Sequence, residues 1–505
     1  MGLWLLWLCS CAQMPPFPPL PNPLPQVHYS AAQSLQPESL KACQLYFKSM
    51  DEAIDKYQVR DVQYQRIAAF PFLRINRFWA SYRNSPMDAV AFNRWLDQLQ
   101  QLDQDARALE LQNLAVFFDT PDSIEESLTA MRDCSKLLRQ ALTLTPEIVN
   151  YLRKSSGIPA NYSRGLRILG MYPISGWFVK QGVKRYHQET RLSYQQPLDS
   201  LPTTGILMRY AAEKSNLDLR HNDVKLMLST QHEEPFNLPQ LTAEQWQQLA
   251  ALYAPVFEVD TSGAFDKIGT PQWQNEKNPS IDPNTPVVFA YPSFTRFYGK
   301  VLVQLNYALW FSERPSRGAL DIEAGQIDGL IFRITLDENG IPLMYDAIHQ
   351  CGCFHLLFPQ GDLRISEKAQ QLAEPPLIPQ TMPLWDKNKQ LVIRIESGRH
   401  FIQRLYTEDA LISNSLTYRV LDYNQLRKLP YKNGTRSMFG VDALVAGTQR
   451  PERFIFWTMG VKSPGSMRQQ GHHAVTLRGQ RHFDDPYLLQ ELFEYSPALQ
   501  PLKSP

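Results

Sequence analysis

The chain of 505 residues carries no charge excess worth the name: 51 Lys and Arg stand against 50 Asp and Glu. A field able to draw in a polyanion needs a basic surplus, so composition argues against a nucleic-acid partner. Familiar chemical signatures are missing too. The sequence contains no Gly-x-Ser-x-Gly elbow, no Gly-x-x-x-x-Gly-Lys-Ser/Thr phosphate loop, no Gly-x-Gly-x-x-Gly and no His-Glu-x-x-His. These absences remove the easiest enzyme classes without removing catalysis. Gly is scarce, at 24 against 38 Pro, and aromatic residues make up 11%, a balance that suits a folded chain with rigid connections. The length allows two or three packed cores.

No Lys or Arg precedes Lys41, and residues 2–8 form the uncharged apolar run Gly-Leu-Trp-Leu-Leu-Trp-Leu. As a helix this run covers only ~10 Å, too little for a ~30 Å hydrocarbon core. A short apolar core that ends in small residues reads as an export signal. The following Leu8-Cys9-Ser10-Cys11 resembles the signal ending of bacterial exported lipoproteins, which implies a diacylglyceryl group on Cys11. Ala12 after that cysteine implies sorting to the outer membrane, facing the periplasm. Residues 12–33 follow as a Pro-rich tether, with prolines at 15, 16, 18, 19, 21, 23 and 25. Polyproline II at ~3.1 Å per residue would hold the body ~35 Å from its anchor. The expected location is therefore the bacterial cell envelope, with the membrane as a partner through the lipid.

Cys43, Cys134, Cys351 and Cys353 remain for the body. A bridge between Cys43 and Cys134 would contribute ~4 kcal/mol in the chain-entropy model. Two buried free thiols are the alternative.

Residues 34–234 read as a mostly helical domain. Val90, Phe92, Trp95, Leu96, Leu99, Leu102, Leu109 and Leu111 recur at three- and four-residue spacings and predict one helix over 88–114. Ile124, Leu128, Met131, Leu138 and Leu142 predict a second. Residues 170–190 include Trp177 and Phe178, but Lys180, Lys184 and Arg185 interrupt them, which predicts a buried or peripheral helix instead of a span. Residues 69–79 mix aromatics with Arg74 and Arg77. Such a segment suits either an anionic ligand or a core element whose arginines meet local carboxylates, and the neutral balance favours the core.

Residues 235–505 read as a β-rich domain opened by Thr242-Ala243-Glu244-Gln245, a capping box. Strands are expected over 286–291, 300–311, 327–336, 341–348, 391–406 and 453–457, with Asp337-Glu338-Asn339-Gly340 as a hairpin turn. Gln304 and Asn306 share one face of an apolar strand, expected to meet solvent at the sheet rim. The fold class is α+β: a helical N-terminal region followed by a mainly antiparallel β-sheet or β-sandwich.

The densest chemical segment is His349-Gln350-Cys351-Gly352-Cys353-Phe354-His355. On a straight strand its ends would lie ~20 Å apart, but a bend at Gly352 would let imidazoles and thiolates converge on one ion. The same bend would let Cys351 and Cys353 cycle between dithiol and disulfide, or hold a static bridge. Asp321, Glu323 and Asp328 offer hard ligands or a base, although turn roles are commoner. His400 sits at a strand end. Arg481-His482-Phe483-Asp484-Asp485-Pro486 reads as a helix start in which Asp485 caps, and His472-His473 looks exposed.

Leu305-Asn306-Tyr307-x-x-Trp310-Phe311, Gly325-x-x-Asp328, Phe332-Arg333-x-Thr335-Leu336-Asp337, Pro342, His349 and Gly398-Arg399-His400 together resemble the element order of necrosis-inducing-protein and vacuolar-sorting-like β-sandwiches. That resemblance covers about a hundred residues and implies a divalent-metal site. Here Gln326 stands at the family's His, and Gly329-Leu330 at its Trp-Glu.

The expected site thus contains Asp328, His349, Cys351, Cys353, His355 and His400. The first expectation is metal-assisted hydrolysis of an envelope substrate. Its ligands to a divalent ion such as zinc would be His349, Cys351, Cys353, His355 and His400, with Asp328, His349 and His355 as catalytic groups. The alternatives are a noncatalytic, disulfide-stabilised interaction lipoprotein and a Cys-Gly-Cys redox protein.

Overall fold

Asp88 opens the helix that the apolar spacing predicts, its carboxylate accepting from Ala91 N at the start of Ala89–Leu114. The computed structural model describes residues 37–117, 123–213, 219–229, 234–409 and 415–496. The segments expected as signal, 1–11 with Cys11, and tether, 12–33, lie outside the described residues. The N-terminal region packs helices α1 (Pro37–Lys56), α2 (Ala89–Leu114), α3 (Ser123–Ala141) and α4 (Pro146–Ser155) around a hairpin of strands Gln65–Ile67 and Phe70–Ile75. Phe47, Phe70, Phe72, Trp95, Leu99 and Met131 fill its core. Cys43 on α1 and Cys134 on α3 form a disulfide across a 5.1 Å Cα separation.

The aromatic and arginine-rich segment is a core element. Arg74 is wholly buried and donates to Asp103 Oδ1 at 3.0 Å and to Glu110 Oε2 at 2.7 Å. Arg77 reaches Asp484 at 3.2 Å, a contact with the far end of the chain. Helix α5 (Tyr172–Tyr194) is peripheral, with Trp177 and Phe178 in solvent. Helix α6 (Ala243–Leu252) carries the capping box, with Thr242 and Gln245 satisfying each other's backbone.

Ten strands build one mixed sheet: β1 (Ile206–Ala212), β2 (Val256–Thr261), β3 (Val287–Phe297), β4 (Lys300–Arg314), β5 (Gly325–Leu336), β6 (Pro342–His349), β7 (Leu356–Pro359), β8 (Lys389–Ile395), β9 (Ile402–Asp409) and β10 (Leu416–Asp422). Their order is β7-β6-β5-β4-β3-β10-β1-β2-β8-β9. The pairs β3/β10, β10/β1 and β2/β8 are parallel; the rest are antiparallel. β1 enters the centre of this sheet from within the segment read as helical. Gly340, at φ 79°, turns β5 into β6 while Asp337 Oδ1 accepts from Asn339 N and Ile341 N, as the Asn-Gly pair predicts.

Tyr345, Ala347, Leu356 and Phe358 at one edge of the sheet share a single core with Ile393, Ile395, Ile402 and Leu405 at the other. Opposite edges meet because the sheet curls. The other face, with Phe289, Trp310, Ile331 and Ile348, is covered by Tyr423, Met438, Phe439, Met467 and Phe483 from the C-terminal segment. β4 is therefore buried on both faces. Gln304 and Asn306 do not meet solvent: Gln304 bonds Thr335 Oγ1 and Ser293 Oγ at 3.1 Å, and Asn306 donates to Ser293 Oγ at 2.9 Å. The apolar run 391–406 divides into β8 and β9 around Gly398, at φ 76°. Residues 453–457 form no strand. Arg453–Phe456 is a helical turn following Pro451.

Candidate functional site

Gly352 bends the chain where β6 ends. Its N–H donates to His349 O at 2.7 Å, and His349 N donates to Cys353 O at 3.0 Å. Its φ of +91° lies in the left-handed region, and a Cβ there would fall 2.7 Å from Ala474 O. The turn brings the two cysteines together and sends the two histidines to different carboxylates.

His349 turns toward Asp328 on β5, its Nδ1 3.7 Å from Asp328 Oδ1. The carboxylate also meets His400 Nδ1 at 2.8 Å and Arg450 Nη2 at 3.0 Å. His400 lies in the turn between β8 and β9, at φ 57°, stacked on Phe311 with ring centroids 3.9 Å apart. Phe311 and Asp328 are register partners on β4 and β5, so ring and carboxylate stand side by side on one face. The far nitrogen of His400, Nε2, lies 3.3 Å from Asp266 Oδ1. Asp266 also accepts from Gly398 N at 2.7 Å and from Ser397 Oγ at 2.8 Å.

The charges of this cluster follow from its contacts. Burial opposes ionisation of Asp328, but Arg450 and the two imidazoles outweigh it and hold the carboxyl well below its usual range. Burial likewise opposes protonation of His400, yet its hydrogen bonds to Asp266 and Asp328 raise its pKa. His349 is shifted the other way, since burial exceeds the help it receives from Asp328. Asp328 is thus a buried anion, His400 favours the cation and His349 the neutral ring.

His355 belongs to a separate cluster. Its Nε2 lies 2.9 Å from Asp346 Oδ2, and Asp346 is held by Arg333 through bonds of 2.8 and 2.5 Å. Arg333 in turn covers the Phe483 ring at 3.7 Å. Arg333 and Asp346 are direct cross-strand partners, so the register of β5 and β6 makes this pair and leaves His355 to join it.

The thiols of Cys351 and Cys353 lie within hydrogen-bond reach of one another, and Cys353 N donates to Cys351 Sγ at 3.4 Å. Both are free. Cys351 is buried and Cys353 half-buried. The shared hydrogen bond lowers the pKa of Cys351 and raises that of Cys353, so Cys351 gives up its proton first. Arg468 closes the turn, donating to Cys351 O at 3.0 Å and to Lys462 O and Ser463 O. Nearby Glu452 is pushed up to about 7 by burial, against the opposing pull of Arg450.

Among the described residues no group of three or more His, Cys, Asp or Glu side chains is arranged to hold a metal ion. The donor set explains why. Arg450 already occupies Asp328 Oδ1, His355 is committed to Asp346, and the two thiols face each other beside the guanidinium of Arg468. Buried cations stand where a divalent ion would need unshared donors. The expected ligand set is therefore split into an Asp328–His349–His400 group, a thiol pair and a His355 bonded to Asp346.

Several other candidates have structural roles. Asp321 accepts from Glu323 N and Arg317 N in a turn, and Glu323 pairs with Arg314. His472 and His473 are not exposed: they meet Val62 O and Gln350 O at 2.8 and 3.2 Å. His482 Nε2 accepts from Asn161 N at 3.0 Å, and Asp485 Oδ1 accepts from Tyr487 N just before helix Leu488–Leu492. Asp266, Arg450 and Glu452 escape sequence reasoning. None lies in a recognisable motif, and each reaches the site only through the curl of the sheet or the covering segment. Comparison of the chain with protein-family models, curated proteins and solved structures gave no significant match.

Proposed function

We propose that the chain is an exported, lipid-anchored thiol–disulfide redox protein whose Cys351-Gly352-Cys353 turn is the reactive element. The observation that carries this reading is the pairing of two free thiols, one shielded and one half-buried, in a chain whose other body cysteines are already joined. A formed Cys43–Cys134 bridge favours an oxidising compartment, in keeping with a signal that ends at Cys11.

The chemistry is an exchange with a partner disulfide. One thiolate attacks a sulfur of the partner, forming a mixed disulfide and releasing one partner thiolate. The second thiolate attacks its neighbour, closing Cys351–Cys353 and releasing the other. Two electrons pass from the cysteines to the partner, and the two thiol protons leave to solvent or to a buried base. Glu452, titrating near neutrality beside the pair, is suited to accept one of them. Arg450 favours the Cys351 thiolate.

Equilibration of the protein in glutathione buffers, followed by alkylation and mass measurement, tests the reading. A reversible two-electron couple at Cys351–Cys353 between about −300 and −120 mV is expected. Thiols that stay reduced in fully oxidised glutathione would sink it. Loss of labelled fatty-acid incorporation in Cys11→Ser tests the anchor.

A second reading, acid–base hydrolysis at His349, is favoured by one detail: its buried Nδ1 has no hydrogen-bond partner although Asp328 stands behind it. Ester or amide hydrolysis that disappears in His349→Asn and persists in Cys351→Ser would select it.

A further inference from the structure

Helix α5 leaves large apolar side chains in water. Met171 at its N-cap is 62% exposed, and Ile174, Trp177 and Phe178 within it are 60%, 57% and 66% exposed. Their spacing places them along one side of the helix. Ile168 and Leu169, at the end of the preceding helix Arg164–Leu169, extend the same surface at 67% and 74%.

The patch is built from two distant parts of the chain. Arg167 donates to Met459 O at 2.8 Å, and Gly170 approaches Thr458 so closely that a Cβ would lie 2.6 Å from it. This junction seats the 3-10 turn Trp457–Met459 against α5, and the helical turn Arg453–Phe456 just before it carries Phe454, 70% exposed. A cluster of large exposed apolar side chains held in place by defined contacts is characteristic of an interaction site.

Its rim is basic. Lys180, Lys184, Arg185 and Arg191 follow on α5 against the single acid Glu189, while the whole chain is balanced at +1. Among the described residues only Arg185 of these four pairs with a carboxylate, Glu189, at 2.9 Å. Exposed Trp, Phe and Ile beside unpaired Lys and Arg form the pattern that lies in a lipid interface, with rings at the acyl boundary and cations on the phosphates. No helix of the described residues is long and apolar enough to cross a membrane.

We propose that this face binds the surface of an anionic phospholipid bilayer, with Ile174, Trp177 and Phe178 inserted and Lys180 and Lys184 on the headgroups. The inference depends on neither the redox chemistry nor the Cys11 anchor.

The test uses the full chain carrying Cys11→Ser, so that no acyl group contributes. It is floated with phosphatidylcholine vesicles with and without added phosphatidylglycerol. The protein is expected to rise with the anionic vesicles, and Trp177→Ser with Phe178→Ser to weaken this by ~10-fold or more. Lys180→Glu with Lys184→Glu should remove the preference for anionic lipid. All four positions are solvent-facing or at the rim, and an unchanged urea transition verifies folding. Quenching by brominated lipid should fall in Trp177→Phe. Equal flotation of parent and Trp177/Phe178 variant would overturn the proposal. So would a parent that ignores vesicles but self-associates through the patch, shown by sedimentation as a dimer that the variant loses.

Discussion

Asp328 Oδ2 lies 2.8 Å from Nδ1 of His400, a hydrogen bond between residues 72 positions apart that joins β5 to the turn after β8. In strand order β5 and β8 are far apart. Their contact exists because the sheet curls, and it places the His400 imidazole between the buried carboxylates Asp328 and Asp266.

Replacing His400 by Ala leaves those carboxylates without the imidazole they share. Breaking a buried pair in this way costs about 3–5 kcal/mol, to be read from urea unfolding. The loss should depend on pH. His400 has a raised pKa, so its contribution is complete below the unfolded value of about 6.5 and fades as pH rises through the higher folded value. Asp328 and Asp266 are lowered, so theirs is present above about 3.9 and fades as pH falls through the folded values. The gap between wild type and variant is therefore widest between these limits. A gap that is small and flat across that window would contradict the pairing.

Cys43 and Cys134 close a loop with a sequence separation of 91. Their joint replacement by Ala should lower stability by roughly 2–5 kcal/mol. Wild type treated with a strong reductant should shift by the same amount, while the doubly substituted protein should not respond. A reductant effect persisting in the variant would assign the stabilisation elsewhere.

Gly352→Ala introduces a Cβ at φ +91° and 2.7 Å from Ala474 O. Strain and steric contact together should cost more than about 1 kcal/mol. The bend should open, and the Cys351–Cys353 couple should shift relative to wild type in the glutathione titration. An unchanged couple and melting temperature would show that the turn tolerates a side chain and does not set the thiol geometry.

Glu452, pushed up to about 7, changes charge beside the thiols in the physiological range. The rate of Cys351 and Cys353 alkylation should show an inflection near that pH in wild type and lose it in Glu452→Gln. A profile identical in both proteins would remove Glu452 from the chemistry.

Local features were legible along the chain. The stripe from Val90 to Leu111 is α2, the Asn339-Gly340 pair is the β5–β6 turn, and the bend at Gly352 lies where ligand-type residues flank a lone glycine. The site was legible only in part. Asp328, His349 and His400 converge, but His355 does not, because it bonds Asp346, which strand register places opposite Arg333. Asp266 follows an undistinguished Ser-Gly-Ala-Phe, and no spacing connects it to a histidine more than a hundred residues later. Residues 453–457 mislead because β-propensity is a weak local preference that tertiary context overrides, and the chain there is a helical turn.

The order of residues by itself determined helix spacing and turn chemistry, since each depends on interactions within a few positions. Only the tertiary structure decided which carboxylate each histidine meets and which arginine neutralises it. Those partners are set by strand register and by the curl that brings opposite edges of ten strands into one core, both of which depend on packing summed over the whole sheet.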